Sequence, residues 1–407
     1  MTATLTASSD FLTRLDAIVD DLRETAGHRD RHRQYAREEI DRLREIGFWR
    51  LTVPVEHGGH GLDATTLVEA VLRLAAADAS LGQIPQNHFM TVERLLLSAP
   101  GAQREHWLDV LGRGALFGNA AAEPGERPPG ASATSVTRAA AGWSLTGSKV
   151  YSTGALLADY VAVQARDLDD VVVTVLVPAS ADGVTIDDDW DALGQRTTAS
   201  GRSYYRQVPI AEHDVIVHTA DPVATYRISA LGQLLHAAID AGIAIGALDE
   251  SIDLARRVHA GRGSGAATFT EDTLGLDLVG ELHLATLTAR RLVESAAAQV
   301  SALDDTSTLS ETAAAFHEVV AAKVASTRAA LRVTNGLFEV GGSSSTRPDL
   351  GLDRYWRDAR THTLHDAVRW KPYTLGRWVV TGDLADPWSI AHPFTPTPTA
   401  HETSPLP

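Results

Sequence analysis

The sequence has 407 residues, of which 44% are hydrophobic and 22% charged, a balance typical of soluble globular proteins. It contains no cysteine, which excludes a disulfide framework, a thiolate metal site and a cysteine nucleophile. The net charge of -16 argues against binding to nucleic acid or to anionic membranes, because both partners favour a basic surface. The N-terminus lacks the pattern of a secretory signal, and no apolar run approaches the roughly 20 residues of a membrane span, so we expect a cytoplasmic protein.

In chain order, residues 1–115 predict an α-helical domain. Apolar residues at helical spacing between positions 10 and 47 indicate two amphipathic helices. A loop rich in proline and glycine follows at 54–62, and the helical pattern then continues over 64–77 and 79–98.

The pattern changes near residue 115 to short runs of β-forming residues separated by Gly, Asp and Ser, which is typical of an all-β domain. We therefore predict a central β-barrel-like domain at 116–220. Long alanine-rich helical segments with short connections then favour a C-terminal four-helix bundle at 221–390. The tail at 391–407, rich in proline and threonine, is predicted to be flexible. The chain is thus expected to be an α+β multidomain protein with the order helices, β-domain, helical bundle.

Several common catalytic motifs are excluded. The segments 59–64 and 261–266 loosely match a dinucleotide-binding pattern, but neither follows a predicted strand in a βαβ unit. The sequence has no P-loop, no G-x-S-x-G elbow and no HExxH zinc motif. These absences argue against a nicotinamide site, a P-loop hydrolase, a kinase and a zinc protease.

The segment RTHTLHD at 360–366 concentrates titratable side chains. On a helix His362 and His365 would share one face and could bind a metal, but a metal site needs at least a third ligand. A second interpretation is acid–base chemistry, because an imidazole titrates near neutral pH. A third is a pair of histidines that simply bond to backbone carbonyls.

The domain order and several segments resemble the acyl-CoA dehydrogenase fold over most of the chain. These segments are VPVEHGGHGL, FGNAAAEP, GSKVYSTGALLADYVAV, LGQRTTASG and EVGGSSSTRPDLGLDRYWRDARTHTLHD. The late block RYWRDARTHTLHDAVRWK is similar to the flavin-dependent monooxygenases of this fold (group D), typified by dibenzothiophene monooxygenase.

The resemblance implies an enzyme that uses reduced FMN, or FAD as the alternative, and dioxygen. Oxygen transfer through a C4a-(hydro)peroxyflavin would oxygenate a small organosulfur, amine or aromatic and heterocyclic substrate. Because no nicotinamide motif is present, a separate NAD(P)H:flavin reductase is the implied partner. A homotetramer is also implied, in which neighbouring subunits complete each flavin site.

The same resemblance assigns site residues. It places His365 against the flavin, with His362 and His88 lining the same cavity as acid–base groups. Flavin contacts are implied for Asn119, Ala120, Ala121, Ala122, Glu123, Tyr151, Ser152, Thr153, Trp190, Arg262, Ser344, Arg347 and His365.

The sequence also departs from the family pattern. Val92 stands where the monooxygenases carry a tyrosine, and Ser344 stands where a phosphate-binding arginine is expected, although Arg347 is close. Phe338 replaces an adenine-contacting glutamine, which favours FMN over FAD. Asp366 aligns near the base glutamate of the dehydrogenases but is one methylene shorter, and a displacement of about 1 Å can cost roughly a hundredfold in rate. An acyl-CoA dehydrogenase with Asp366 as base is therefore the alternative function, and a catalytically silent scaffold is a third.

Overall fold

The computed structural model describes residues 2–125, 133–139, 142–260 and 263–388. The predicted flexible tail and the candidate phosphate ligand Arg262 lie outside the described residues.

The N-terminal part is helical, as predicted. Its helices are α1 (Thr2–His32), α2 (Arg37–Glu45), α3 (Ala64–Ala77), α4 (Ala79–Gln83), α5 (Pro85–Ser98) and α6 (Gly101–Gly112). Asp63 and Asp78 cap α3 and α4, because their carboxylates accept hydrogen bonds from the first free backbone N–H groups. The predicted helical stretch 79–98 is interrupted at Ile84, and Pro85 begins α5, a position where its missing N–H costs nothing.

Among the described residues, eight strands form one sheet: β1 (Phe117–Ala120), β2 (Ser135–Ala139), β3 (Gly142–Lys149), β4 (Tyr160–Arg166), β5 (Val172–Pro178), β6 (Val184–Ile186), β7 (Ser203–Ile210) and β8 (Val215–Val217). The strand order is β6-β7-β3-β2-β4-β5-β8, and β1 pairs with β4 in parallel. Alternate residues of β4 and β5, such as Val161, Val163 and Val175, fill the interior of this domain.

In the described stretches after residue 220, three long helices, α7 (Pro222–Ala255), α8 (Thr273–Ser301) and α9 (Leu309–Gly341), are followed by two short ones, α10 (Asp353–His362) and α11 (Lys371–Thr381). Helix α7 lies at the centre and packs against α3, α8 and α9. Small residues permit this packing: a Cβ added at Gly246 would meet the Ala76 carbonyl oxygen at 2.2 Å.

Among the described residues, α7 is the helix long and apolar enough to cross a membrane by length and composition. However, 89% of its most apolar window is buried inside the protein, as in the core helix of a soluble domain. The arrangement of helices, sheet and helices confirms the predicted fold class.

Candidate active site

The loop between β6 and β7 joins the sheet to the C-terminal helices. The backbone N–H of Gln195 donates to Asp358 Oδ1 at 2.6 Å, and that of Gly194 donates to Thr361 Oγ1 at 3.0 Å. A Cβ on Gly194 would lie 2.1 Å from the Arg357 carbonyl oxygen, so only glycine allows this approach. The end of α10, which carries His362, is therefore held against the sheet.

A cavity of about 490 Å³ opens beside this loop, within the usual size range for small-molecule sites. It contains three of the predicted flavin-contact residues, Glu123, Tyr151 and Trp190, together with Ser200 and Arg202. The rings of Tyr151 and Trp190 are nearly perpendicular, with centroids 6.0 Å apart. The Trp190 indole donates to the Gln195 carbonyl at 2.7 Å, which fixes its ring at the cavity wall.

Two predicted flavin-contact residues, Thr153 and Ser152, carry hydroxyl groups that lie in different surroundings. The hydroxyls of Thr153 and Ser200 are 2.8 Å apart, and Thr153 is partly exposed. Ser152 is fully buried and hydrogen-bonds to Ser203 at 2.8 Å, so its hydroxyl stabilises the sheet instead of facing a ligand. The flavin contact implied for Ser152 stays a prediction, and it would have to be made by the backbone.

The segment 119–123 presents mostly its backbone. The N–H of Asn119 donates to the Thr153 carbonyl at 2.9 Å, Ala120 is buried in the sheet core, and Ala121 and Ala122 are exposed. The segment 119–123 thus lies next to Thr153. The two stretches that the resemblance implies as flavin contacts are therefore neighbours in the structure.

Glu123 has a structural partner as well as a place in the cavity wall. Its Oε1 accepts from Lys149 Nζ at 2.9 Å, and Lys149 is only 1% exposed. The carboxylate also accepts from the backbone N–H groups of Ala133 and Thr134. The Glu123 side chain therefore secures the start of β2 to the end of β3.

His88 does not join the other two histidines, and both of its ring nitrogens are already hydrogen-bonded. The residue is fully buried, its Nε2 donates to the Trp49 carbonyl at 2.6 Å, and its Nδ1 accepts from the Phe117 N–H at 3.1 Å. Burial lowers the pKa of His88 to about 4. With both ring nitrogens bonded to backbone, His88 links the N-terminal helices to β1.

His362 and His365 do lie together, at the end of α10. His362 is buried, and its Nδ1 lies 2.5 Å from Asp240 Oδ1 on α7. Its Nε2 lies 3.1 Å from Nδ1 of His236, one helical turn before Asp240. The ring of His365 covers His236, with centroids 3.8 Å apart, while the other side of His365 is exposed.

Two further polar side chains complete this cluster. Lys323 Nζ and Thr327 Oγ1, one turn apart on α9, both donate to Asp240 Oδ2, at 2.8 and 2.7 Å. Although burial raises the pKa of Asp240, Lys323 and His362 lower it well below the usual range, so this carboxyl is ionised. Loss of water on its covered face, and then the charges of His362 and Lys323, lower the pKa of His365.

Asp366, the alternative base, follows His365 and is partly buried. Its Oδ2 accepts from Lys371 Nζ at 2.9 Å. Its Oδ1 is buried and has no hydrogen-bond partner within the described ranges. Burial raises the pKa of Asp366, but Lys371 and Lys323 outweigh this effect and lower it.

The remaining candidates lie elsewhere on the single chain. Ser344 and Arg347 are exposed, and Arg347 pairs with Asp349 through two hydrogen bonds of 3.1 and 2.6 Å. Neither lines the cavity beside Trp190. Within the part of the chain that the structure describes, no group of three or more acidic or histidine side chains is placed to hold a metal ion.

A larger cavity, of about 760 Å³, is lined by Arg44, Arg113 and Asp159 among others. It contains none of the predicted site residues, so its size alone does not mark it as the active site.

The sequence interpretation missed His236, Asp240, Lys323 and Lys371. The available signal was polar residues one turn apart in alanine-rich helices, HAAID on α7 and KVAST on α9. Such residues at core positions require a paired environment, because unpaired burial is costly.

Family models match the chain in three consecutive parts. The acyl-CoA dehydrogenase N-terminal domain matches residues 13–115, the middle domain 118–208 and the C-terminal domain 234–370. The chain therefore belongs to the acyl-CoA dehydrogenase family.

Within this family the chain is similar to monooxygenases. Dibenzothiophene monooxygenase from Rhodococcus qingshengii is 30% identical over 398 residues, which cover 94% of this chain and 95% of that protein. The probable FMNH2-dependent monooxygenase SfnC from Pseudomonas putida is 28% identical over 367 residues, covering 88% and 91%. The crystal structure of TdsC from Paenibacillus sp. A11-2 with FMN and indole has a TM-score of 0.86 and 28% identity, and covers 93% of this chain and 98% of TdsC. These comparisons confirm the predicted resemblance and the predicted enzyme class, a flavin-dependent monooxygenase.

Proposed function

We propose that this protein is the oxygenase component of a two-component system and that it oxygenates a small organosulfur, amine or aromatic and heterocyclic compound with reduced FMN and dioxygen. The observation that carries the proposal is the hydrogen-bonded connection between two features. The loop that forms the cavity wall at Trp190 is bonded through Gly194 and Gln195 to the helix that ends at His362.

The residues present fit a flavin. Tyr151 and Trp190 offer apolar faces, and the hydroxyls of Thr153 and Ser200 offer hydrogen bonds to the polar edge of an isoalloxazine. Reduced flavin would supply both electrons and both hydrogens, so that one oxygen atom of dioxygen enters the substrate and the other leaves as water. The guanidinium of Arg202 is already paired with Asp189, which makes it a weak partner for the FMN phosphate.

The phosphate is instead expected to bind near the exposed loop of a neighbouring subunit. Ser344 and Arg347 are exposed and do not line the cavity of their own chain, which is the arrangement a homotetramer with shared sites requires. FMN is preferred to FAD because SfnC is named as FMNH2-dependent and TdsC was crystallised with FMN. Divisions at 115/116 and 220/221 are proposed as the domain boundaries.

His365 is the proposed acid–base residue. Its ring is partly exposed at the surface of the buried cluster, so a ligand can reach a ring nitrogen. The lowered pKa keeps this imidazole neutral near pH 7, in the state that both accepts and donates a hydrogen bond.

The proposed partner is a separate NAD(P)H:flavin reductase, and we expect both proteins to work in the cytoplasm. Dibenzothiophene and indole are the first compounds to test, since relatives are named for or crystallised with them.

The function can be tested with a purified flavin reductase, NADH, FMN and isotopically labelled dioxygen. The proposal expects one labelled oxygen atom in the product, and His365→Ala should lose at least about a hundredfold in product formation while hydrogen peroxide accumulates. His283→Ala, which removes an exposed histidine from α8, is the matched control and should behave like the unchanged protein.

The alternative function makes a different prediction. An acyl-CoA dehydrogenase would bleach bound oxidised flavin when an acyl-CoA is added anaerobically, and Asp366→Asn would abolish the bleaching. That result, without labelled product from any tested substrate, would replace the monooxygenase by the dehydrogenase.

A further inference from the structure

A line of buried polar side chains crosses the helical bundle and ends beneath His365. Its members are Asp240 and His236 on α7, His362 at the end of α10, and Lys323 on α9. Each is 2% exposed or less. The surrounding core is built largely from alanine, valine and leucine.

The hydrogen bonds along this line determine where the protons are. Asp240 is ionised and accepts from Lys323 and Thr327 on one oxygen, so its other oxygen must accept from Nδ1–H of His362. In the neutral ring of His362, Nε2 then carries a lone pair, and it accepts from Nδ1–H of His236 at 3.1 Å.

It follows that Nε2 of His236 also carries a lone pair. No hydrogen-bond partner for this nitrogen lies within the described residues. The Asp240–His362–His236 series therefore ends at a free proton acceptor, directly under the ring of His365.

The cluster is costly if it serves only stability. Burying an ion costs several kcal/mol even after relaxation, and apolar residues of similar volume are often as stable as a buried ion pair. An alanine-rich bundle that needed only packing would not require Asp240 and Lys323 at its centre.

We propose that Asp240, His362 and His236 form a proton relay for the active site, with Nε2 of His236 as the atom that takes up and returns the proton. The proton of a ligand O–H or N–H group moves to Nε2 of His236. The proton on Nδ1 of the same ring moves to Nε2 of His362, and the positive charge is then held beside the Asp240 carboxylate. Reversal of both transfers returns the proton, and no electrons are exchanged.

This inference rests on the proposed function, because oxygen transfer with release of water requires protons to leave and re-enter the site. His236 acts here as a relay residue, and its Nε2 contacts the same ligand as His365.

The charges around the cluster agree with this direction of transfer. Burial, and then His365, His362, Lys323 and Lys371, lower the pKa of His236 well below the usual value. For His362, burial also lowers the pKa, but the adjacent Asp240 opposes it strongly. Asp366 lies near His365 and is paired with Lys371. A proton on the cluster is therefore held best by His362.

The first test needs no flavin. Proton NMR spectra of the flavin-free protein should contain two exchange-protected imidazole N–H signals at low field, from Nδ1 of His362 and of His236. His236→Asn should remove only the second, because the asparagine amide keeps a donor toward His362 but has no atom in the place of Nε2. The double variant Asp240→Leu with Lys323→Met, which keeps the core uncharged and removes the acceptor at position 240, should remove the first. If the unchanged protein lacks either of the two protected imidazole signals, or if His236→Asn removes neither, the relay is wrong.

The second test uses the reconstituted enzyme. His236→Asn should lower kcat about a hundredfold and change KM by less than about twofold, because general acid–base steps contribute roughly that much. The double variant should move the acidic limb of the pH profile to lower pH, because the cation on His362 has lost its carboxylate. A purely structural role would leave that limb in place.

A matched control is His317→Asn, because His317 is another buried histidine on α9, and its Nδ1 donates to the Ala313 carbonyl at 2.6 Å. It should keep the kcat and the pH profile of the unchanged protein. Unchanged kcat and pH profile in His236→Asn would overturn the relay. Failure of the unchanged protein to oxygenate any substrate would overturn the proposed function instead, while the NMR spectra would still decide the relay.

Discussion

Replacing Lys323 by Met tests whether His362 takes up a proton when the buried Asp240 carboxylate loses its lysine partner. Lys323 is 1% exposed, and its ammonium lies 2.8 Å from Asp240 Oδ2. Methionine fills a similar volume without charge, so the main effect is to leave the Asp240 carboxylate with His362 and Thr327 as its remaining partners.

The expected loss of stability depends on pH. Removing one partner of a buried ion pair costs about 3–5 kcal/mol. His362 can compensate, because without Lys323 it keeps the attraction of Asp240 and loses the repulsion of a cation, so its pKa rises. A group whose folded-state pKa is raised adds stability at low pH, and this stability is lost as pH rises through that pKa. Each unit by which the pKa of His362 rises offsets about 1.4 kcal/mol of the lost free energy of unfolding.

The measurement is urea denaturation followed by circular dichroism, at about pH 5.5 and about pH 8. Lys323→Met should be much less destabilised, relative to the unchanged protein, at the lower pH. Arg332→Met is the control, because Arg332 forms an exposed pair with Glu281 and should cost less than about 1 kcal/mol at either pH. Equal destabilisation of Lys323→Met at both pH values would refute the idea that His362 takes up the charge.

Four further predictions follow from the same structure. Burial, followed by the nearby Asp30, raises the pKa of Asp358 to about 7, so this carboxyl contributes stability that is lost as pH rises through that value. Asp358→Asn should therefore raise the urea midpoint near pH 8 and give little gain near pH 5. His365→Ala should change the thermal midpoint little, because one side of the ring is exposed, while product formation falls. His88→Gln should lower the free energy of unfolding by about 1–3 kcal/mol, measured in urea, and leave kcat of the folded enzyme unchanged. Gly194→Ala should weaken FMN binding in a fluorescence titration, because the added Cβ displaces the cavity loop from α10.

Local signals in the sequence predicted much of the fold. The bounds of α3 agree with the predicted helix at 64–77, because Asp63 caps its first turn and apolar residues repeat at helical spacing. The order of helices, β-domain and helical bundle was predictable for the same reason. The break between α4 and α5 was not, although Pro85 marks it.

The site was predicted only in part. His362 and His365 were identified because they are three residues apart in one unusual segment. The structure places His88 apart from them, and nothing local in the sequence reveals that both of its ring nitrogens bond to backbone. Whether Ser344 and Arg347 contact a flavin remains a prediction.

The sequence by itself determined the helices, the strands and the family, since these depend on periodicity, capping and motifs within short stretches of chain. Only the tertiary structure decided the chemistry of the histidine cluster. Asp240, Lys323 and His362 are far apart in sequence, and their charges interact strongly because the packed helices remove water from between them. The protonation of the site is therefore a property of the assembled bundle.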